Sequence, residues 1–163
     1  GPAGLVLTRQ NVPTLDLPVE TVRVGVRRGG YVVADCADPE VLLLATGSEV
    51  QLALAAAATL AADGIGARVV SMPCLEWFDA QEAAYRDAVL PPTVTARVAV
   101  EAGATLGWWR YVGSHGRVVG LDHFGASADQ ATLFGEFGIT AAALVAAARA
   151  TIADANRDEG STR

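Results

Sequence analysis

From Val41 onward the chain alternates between short apolar runs and longer stretches of mixed polarity that are rich in alanine. Val41-Leu42-Leu43-Leu44-Ala45 is continuously apolar, the pattern of a strand covered on both faces. Thr46-Gly47-Ser48-Glu49 follows, with Ser48 placed to cap an Ala- and Leu-rich helix that runs to about Asp63 and is stopped by Gly64 and Gly66. Arg68-Val69-Val70-Ser71-Met72 predicts the next strand, ended by Pro73. Asp79 and Glu82 have the spacing of an acidic capping box and predict a helix to Val89, broken by Pro91-Pro92. Arg97 to Glu101 predicts a third core strand, Thr105 to Tyr111 a short helix, and Arg117 to Leu121 a further strand. Ser127 and Gln130 form a second capping box before a helical stretch over 131–137. Gly138 ends that stretch, and Thr140 caps a final Ala-rich helix to about Ala155.

The first forty residues follow a different rhythm. Leu5-Val6-Leu7 is a short apolar run between Gly4 and a polar cluster, which predicts a buried strand. Residues 13–30 show no sustained period and are expected to form a linker or extended arm. Tyr31 to Ala34 and Val41 to Ala45, separated by the turn chemistry of Asp35 to Pro39, predict a hairpin-like antiparallel pair. Strands alternating with helices imply an α/β fold: a mixed, mostly parallel open sheet with helices on both faces, its antiparallel strand being the one near Tyr31. The α/β domain is expected over 31–155, with 156–163 a frayed polar tail.

Composition narrows the function classes. The 163 residues suit one ordinary domain with its own core, and 52% hydrophobic against 18% charged residues is the balance of a globular chain. The net charge of −6, with no basic block, argues against a nucleic-acid surface. Cys36 and Cys74 are too few and too far apart for a disulfide framework or a zinc site and are expected to be small buried thiols. The apolar stretch Val50 to Ala62 is too short to span a bilayer, and no signal-peptide pattern opens the chain. A cytoplasmic protein without a membrane partner is the expectation.

Candidate chemistry is sparse. Arg9, beside Gln10 and Asn11 at the end of an apolar run, has the makings of a phosphate or carboxylate grip; a lone arginine there is otherwise a solvated charge. Gly47-Ser48, opening a helix after a strand, could hold an anion on backbone N–H groups, and its plain alternative is a helix cap; Gly125-Ala126-Ser127 is equivalent. Ser127, His123 and Asp122 can be assembled into a triad on paper, but no G-x-S-x-G elbow supports it, and His115 and His123 fit surface or interface roles better. Glu76, Asp79 and Glu82 cluster around Trp77 and Phe78, with Asp79 and Glu82 already explained as capping partners. Of the adjacent Trp108 and Trp109, one is expected in the core and the other exposed at an interface. No catalytic residue and no metal ligand set is assigned.

Several blocks, in order, resemble transketolases: Thr8-Arg9-Gln10-Asn11-Val12-Pro13, Gly29-Gly30-Tyr31, Ala45 to Val50, Val70-Ser71-Met72-Pro73, Tyr85 to Pro91, Val98 to Gly103, and Phe124 to Ala128. The resemblance implies that residues 1–12 close a preceding pyrimidine-binding domain, that 13–30 link it to the next, and that the remainder is the C-terminal domain. It further implies an enzyme that uses thiamine diphosphate and Mg²⁺ or Ca²⁺ to move a two-carbon ketol unit between sugar phosphates. In that family the diphosphate and metal are held by a G-D-G…N motif, which is absent here. The match for the arginine that contacts the sugar phosphate is Arg9. Expected partners are the remaining domains of the enzyme, a second copy in a homodimer, and sugar phosphates; the chain alone is expected to be inactive. Two alternatives stand beside this. One is the C-terminal domain of another thiamine-dependent enzyme, a 2-oxoacid dehydrogenase E1 component or deoxyxylulose-phosphate synthase. The other is a free-standing regulatory module that binds a small anion at Gly47 and Ser48.

Overall fold

A computed structural model describes residues 4–161, with side chains described as far as Asp158. Five strands form one sheet: β1 (Tyr31–Ala34), β2 (Val41–Ala45), β3 (Ala67–Ser71), β4 (Arg97–Val100) and β5 (Arg117–Val119). Their spatial order is β1-β3-β2-β4-β5. β2 runs parallel to β3 and β4, and β4 parallel to β5; only β1 is antiparallel, against β3. The expected mixed, mostly parallel sheet is what forms.

All five residues of β2 are buried, because each face of the central strand carries its own core. Leu43, Ala45, Val69 and Val98 pack beneath α2 (Val50–Ala62) and α7 (Ala141–Ser161). Leu42, Leu44, Val70 and Ala99 face the side covered by α3 (Leu75–Asp79), α4 (Ala83–Val89) and α5 (Trp109–Val112), where Phe78, Trp108 and Tyr111 fill the layer. The adjacent tryptophans divide as expected: Trp108 is 1% exposed and Trp109 49%. α2 leads from β2 to β3, and α3 and α4 lead back across β2 to β4 on the opposite face. The chain therefore reverses its winding between β2 and β4. In such sheets a crevice opens there beyond the carboxyl ends of the strands.

Several local expectations are corrected. β1 does not pair with β2 as a hairpin; α2 delivers β3 into the place beside β2, and β1 pairs outside it. A two-pronged ion pair from Arg68 to Asp35 (2.8 and 2.9 Å) ties the end of β1 to β3. The arm 13–30 contains a helix, α1 (Val19–Arg27). Gly25 lets it lie flat on Tyr31, where a Cβ would come 2.2 Å from the ring. α7 does not stop at Ala155 but continues to Ser161, and Arg117 on Asp154 and His115 on Asp158 link it to β5 and the loop before it. Asp79 and Glu82 do not form a capping box. Asp79 ends α3 and instead receives the Tyr111 hydroxyl (3.0 Å to each oxygen) and Arg110 (2.8 Å). Likewise Asp129, not Ser127, caps α6 (Gln130–Glu136), accepting from the Thr132 N–H. Thr140 does cap α7, accepting from the Ala143 N–H (3.1 Å). Both cysteines are half-buried, not buried. By length and composition, Gln130–Asp158 is apolar enough to cross a membrane. It is two helices broken at the positive-φ Gly138, and Leu144, Ala148 and Thr151 of α7 are buried in the core.

Candidate functional site

Leu5, Val6 and Leu7 form no strand; they are 83%, 97% and 74% exposed. A strand needs a neighbour to satisfy its backbone, and neither edge of the sheet pairs with this run. Arg9 follows in irregular chain. Its guanidinium is exposed and makes no hydrogen bond or ion pair among the described residues. Thr8, Arg9 and Gln10 border an open hollow of about 410 Å³ whose far side is the start of α6, at Asp129, Gln130 and Leu133. The Gln10 Oε1 is buried there without a partner among the described residues. Asp129 is occupied by the Thr132 N–H and hydroxyl (3.1 and 2.7 Å), which hold its carboxyl below the ordinary range.

At the carboxyl end of β2 the chain enters a 3-10 turn, Gly47–Glu49, with Gly47 at φ +54°. Ser48 does not cap α2. Its hydroxyl donates to Glu49 Oε1 at 2.6 Å, because the buried Glu49 carboxylate needs donors more than the helix needs a cap. Burial raises the Glu49 pKa; the neighbouring Glu101 adds to the rise, and hydrogen bonds from Ser48 and the Ala102 N–H oppose it. Glu101 stands just past β4 and accepts from the Trp108 indole at 2.7 Å. Glu49 and Glu101 thus stand near enough, beyond the ends of β2 and β4, for the charge of one to act on the other.

The raised pKa has a measurable consequence. The folded state holds the Glu49 proton more tightly than the unfolded chain, whose value is about 4.3. This group's contribution is therefore most favourable below that value and is lost as pH rises through the folded pKa. Glu49→Gln should raise the thermal midpoint at pH 8 and change it little at pH 4. A gain of the same size at both pH values would contradict the assignment. Asp122 and Asp154, held low by hydrogen bonds from Thr105 and Arg117, act in the other direction: their contribution is lost as pH falls below the ordinary Asp range.

The remaining sequence candidates separate in space. Both Asp122 oxygens are taken by Thr105 (2.9 Å to the N–H, 2.7 Å to the hydroxyl). His123 is exposed, its ring edge against Phe137 and its Nδ1 on the Phe124 carbonyl, so the paper triad is not assembled. His115 lies near the opposite end of the sheet, 3.5 Å from Asp158. Among the described residues no three His, Cys, Asp or Glu side chains gather as a metal site. The sequence also has no G-D-G…N motif, the pattern that holds the diphosphate and metal in the family it resembles.

Fold and site together define a three-layer α/β domain preceded by an arm that presents an unmatched arginine. The Transketolase-like TK C-terminal domain family matches residues 29–140. The chain is 59% identical over 154 residues to the transketolase of Mycobacterium tuberculosis, covering 91% of this chain and 22% of that protein. It is 52% identical over 150 residues to transketolase 1 of Escherichia coli, with the same coverage. Among solved structures, transketolase from Leishmania mexicana superposes with a TM-score of 0.74 at 46% identity, covering 80% of this chain and 19% of that one. The Pichia stipitis transketolase complex with sedoheptulose 7-phosphate gives 0.79 at 36% identity, covering 89% and 20%. A split-gene transketolase, an inactive β4 tetramer, gives 0.65 at 25% identity and is covered over 48% of its length. The chain belongs to the transketolase family and corresponds to its C-terminal domain; it spans about a fifth of the length of the curated relatives it matches.

Proposed function

We propose that this chain serves as the C-terminal domain of a thiamine-diphosphate-dependent transferase that moves a two-carbon ketol unit between sugar phosphates in the cytoplasm. Residues 1–12 close the preceding pyrimidine-binding domain, and 13–30 join the two. The cofactor and its Mg²⁺ or Ca²⁺ are held by the remaining domains, and the chain alone is inactive. Held by those domains, the cofactor would supply the carbon–carbon bond chemistry that ketol transfer needs. This chain's own part is to present Arg9 to the substrate phosphate and to support the homodimer.

One observation carries the phosphate reading: Arg9 is exposed, lacks an internal partner among the described residues, and sits beside two amide side chains at the end of an apolar run. A guanidinium so placed is suited to a two-pronged hydrogen bond with a phosphate. The solved Pichia stipitis relative in complex with sedoheptulose 7-phosphate supports the ligand class. Arg9→Ala in the intact enzyme, read on phosphorylated and unphosphorylated donors, is the experiment that tests it.

The assembly role is supported by exposed apolar side chains near the carboxyl end of the sheet, Leu106 and Trp109 past β4 and Phe124 past β5. The Thr105–Asp122 hydrogen bonds hold the two loops together. Sedimentation of the chain should show a mass that rises with concentration. A strictly monomeric species at high concentration would remove self-association by this domain alone.

A further inference from the structure

Two hydroxyls carried by buried residues are left without a protein partner among the described residues. Tyr31 and Ser71 are each 7% exposed, and neither side chain makes a hydrogen bond among the described residues. Neither oxygen is fully enclosed, so both are open to a partner from outside the chain. They are neighbours by register: Tyr31 of β1 stands opposite Ser71 of β3, which stands beside Ala45 of β2. Paired residues share a face of the sheet, so both hydroxyls look toward the α2 side, where Tyr31, Ala45 and Val69 pack. Beyond the ends of β2 and β3 lies a hollow of about 240 Å³ on that side, lined by Tyr31, Ser71, Gly47, Ser48 and Gln51. Val50 and Pro73 add apolar wall, and Val12, Pro13 and Leu15 of the arm line it as well.

We propose that this hollow binds a small organic carboxylate with a short aliphatic body. The polar lining is rich in donors. The Tyr31 and Ser71 hydroxyls and the Gln51 amide can each donate, and the first N–H groups of a helical turn have no partner within it. Gly47 at φ +54°, with open space where a side chain would stand, lets an anion approach the backbone. α2 is long enough for its dipole to favour negative charge at this end. The lining contains no arginine, so one negative charge suits it and a phosphate dianion does not. The apolar walls fit methyl and methylene groups, and the volume is below the roughly 300–1,000 Å³ of sites for larger ligands. The Glu49 carboxylate is close by but takes its hydrogen bonds from Ser48 and the Ala102 N–H, on the β4 side, and its charge works against the ligand. The site is separate from the Arg9 hollow and independent of the transferase reading.

The test is an NMR titration of the 163-residue chain with isobutyrate, following backbone amides. The amides of Gly47, Ser48, Gln51 and Ser71 should shift to saturation with a Kd on the order of millimolar. Ser71→Ala and Tyr31→Phe, both conservative, should each weaken binding about three- to tenfold with the fold intact. Glu49→Gln should tighten it by removing the opposing charge. Isobutyramide, the same shape without charge, should bind at least about tenfold more weakly. Any of three results would overturn the proposal: no saturation by about 100 mM isobutyrate, equal binding of isobutyramide, or a stronger response to inorganic phosphate. Unchanged affinity in both hydroxyl variants would do so as well.

Discussion

Arg9→Ala in the intact enzyme is expected to lower kcat/KM for a phosphorylated ketose by about 10- to 150-fold. That loss corresponds to one charge-assisted contact. A hydrogen bond to a charged group is worth about 1.5–3 kcal/mol, and each 1.36 kcal/mol is tenfold in rate. The arginine has nothing to lose inside the domain: among the described residues no carboxylate or carbonyl holds it, so its removal should not unfold the chain. An unphosphorylated donor lacks the group that Arg9 would grip and should lose much less. That contrast separates a phosphate contact from general damage, which would depress both donors together. Equal losses in a protein of normal stability would remove Arg9 from the phosphate site.

The largest effect on stability is expected at Gly29, which lies just past α1. A Cβ there would stand 2.2 Å from the Cys74 carbonyl oxygen and 2.4 Å from the Phe78 nitrogen, both backbone atoms that no rotamer change can move. Its φ of +78° adds a conformational cost for any other residue. Gly64 has the same φ but open space in front of it, which makes it an internal control. Gly64→Ala should cost about 1–2 kcal/mol for the left-handed backbone alone. Gly29→Ala should cost that and about 1–3 kcal/mol more for the collision. Out of a total stability of about 5–15 kcal/mol this is a large fraction. Urea unfolding at unchanged m-value reads the difference directly. Equal losses at the two glycines would show that the backbone around Cys74 and Phe78 gives way freely.

What the chain's pattern revealed, and what it hid, follows from the range of the forces involved. β2 was legible because five successive apolar residues can be satisfied only by cover on both faces, and all five are buried. The antiparallel role of β1 was legible too, but its partner was not. Pairing is a choice among strands distant in sequence, and α2 decided it by delivering β3 first. Caps misled for a related reason. Ser48, Asp79 and Ser127 each have the right local chemistry, yet Glu49, Tyr111 and Asp129 outcompete or replace them through contacts that spacing does not encode. α1 was hidden because residues 13–30 show no sustained period, while the feature that seats it is a glycine against Tyr31. Of the candidate sites, Arg9 could be found only through its motif. The Gly47–Ser48 turn was visible as a strand–helix junction, but the unpaired hydroxyls of Tyr31 and Ser71 become evident only when β1 is placed against β3. A serine at the buried end of an apolar strand was the one local signal.

As proposed, the chain is the C-terminal part of a thiamine-dependent transferase whose cofactor seat lies in other domains. Titration calorimetry of the 163-residue chain with thiamine diphosphate and Mg²⁺ tests this most directly. The account predicts no heat of binding beyond dilution. Binding with an affinity on the order of micromolar would contradict it, because the seat would then have to be built without a G-D-G…N motif and, among the described residues, without a metal cluster.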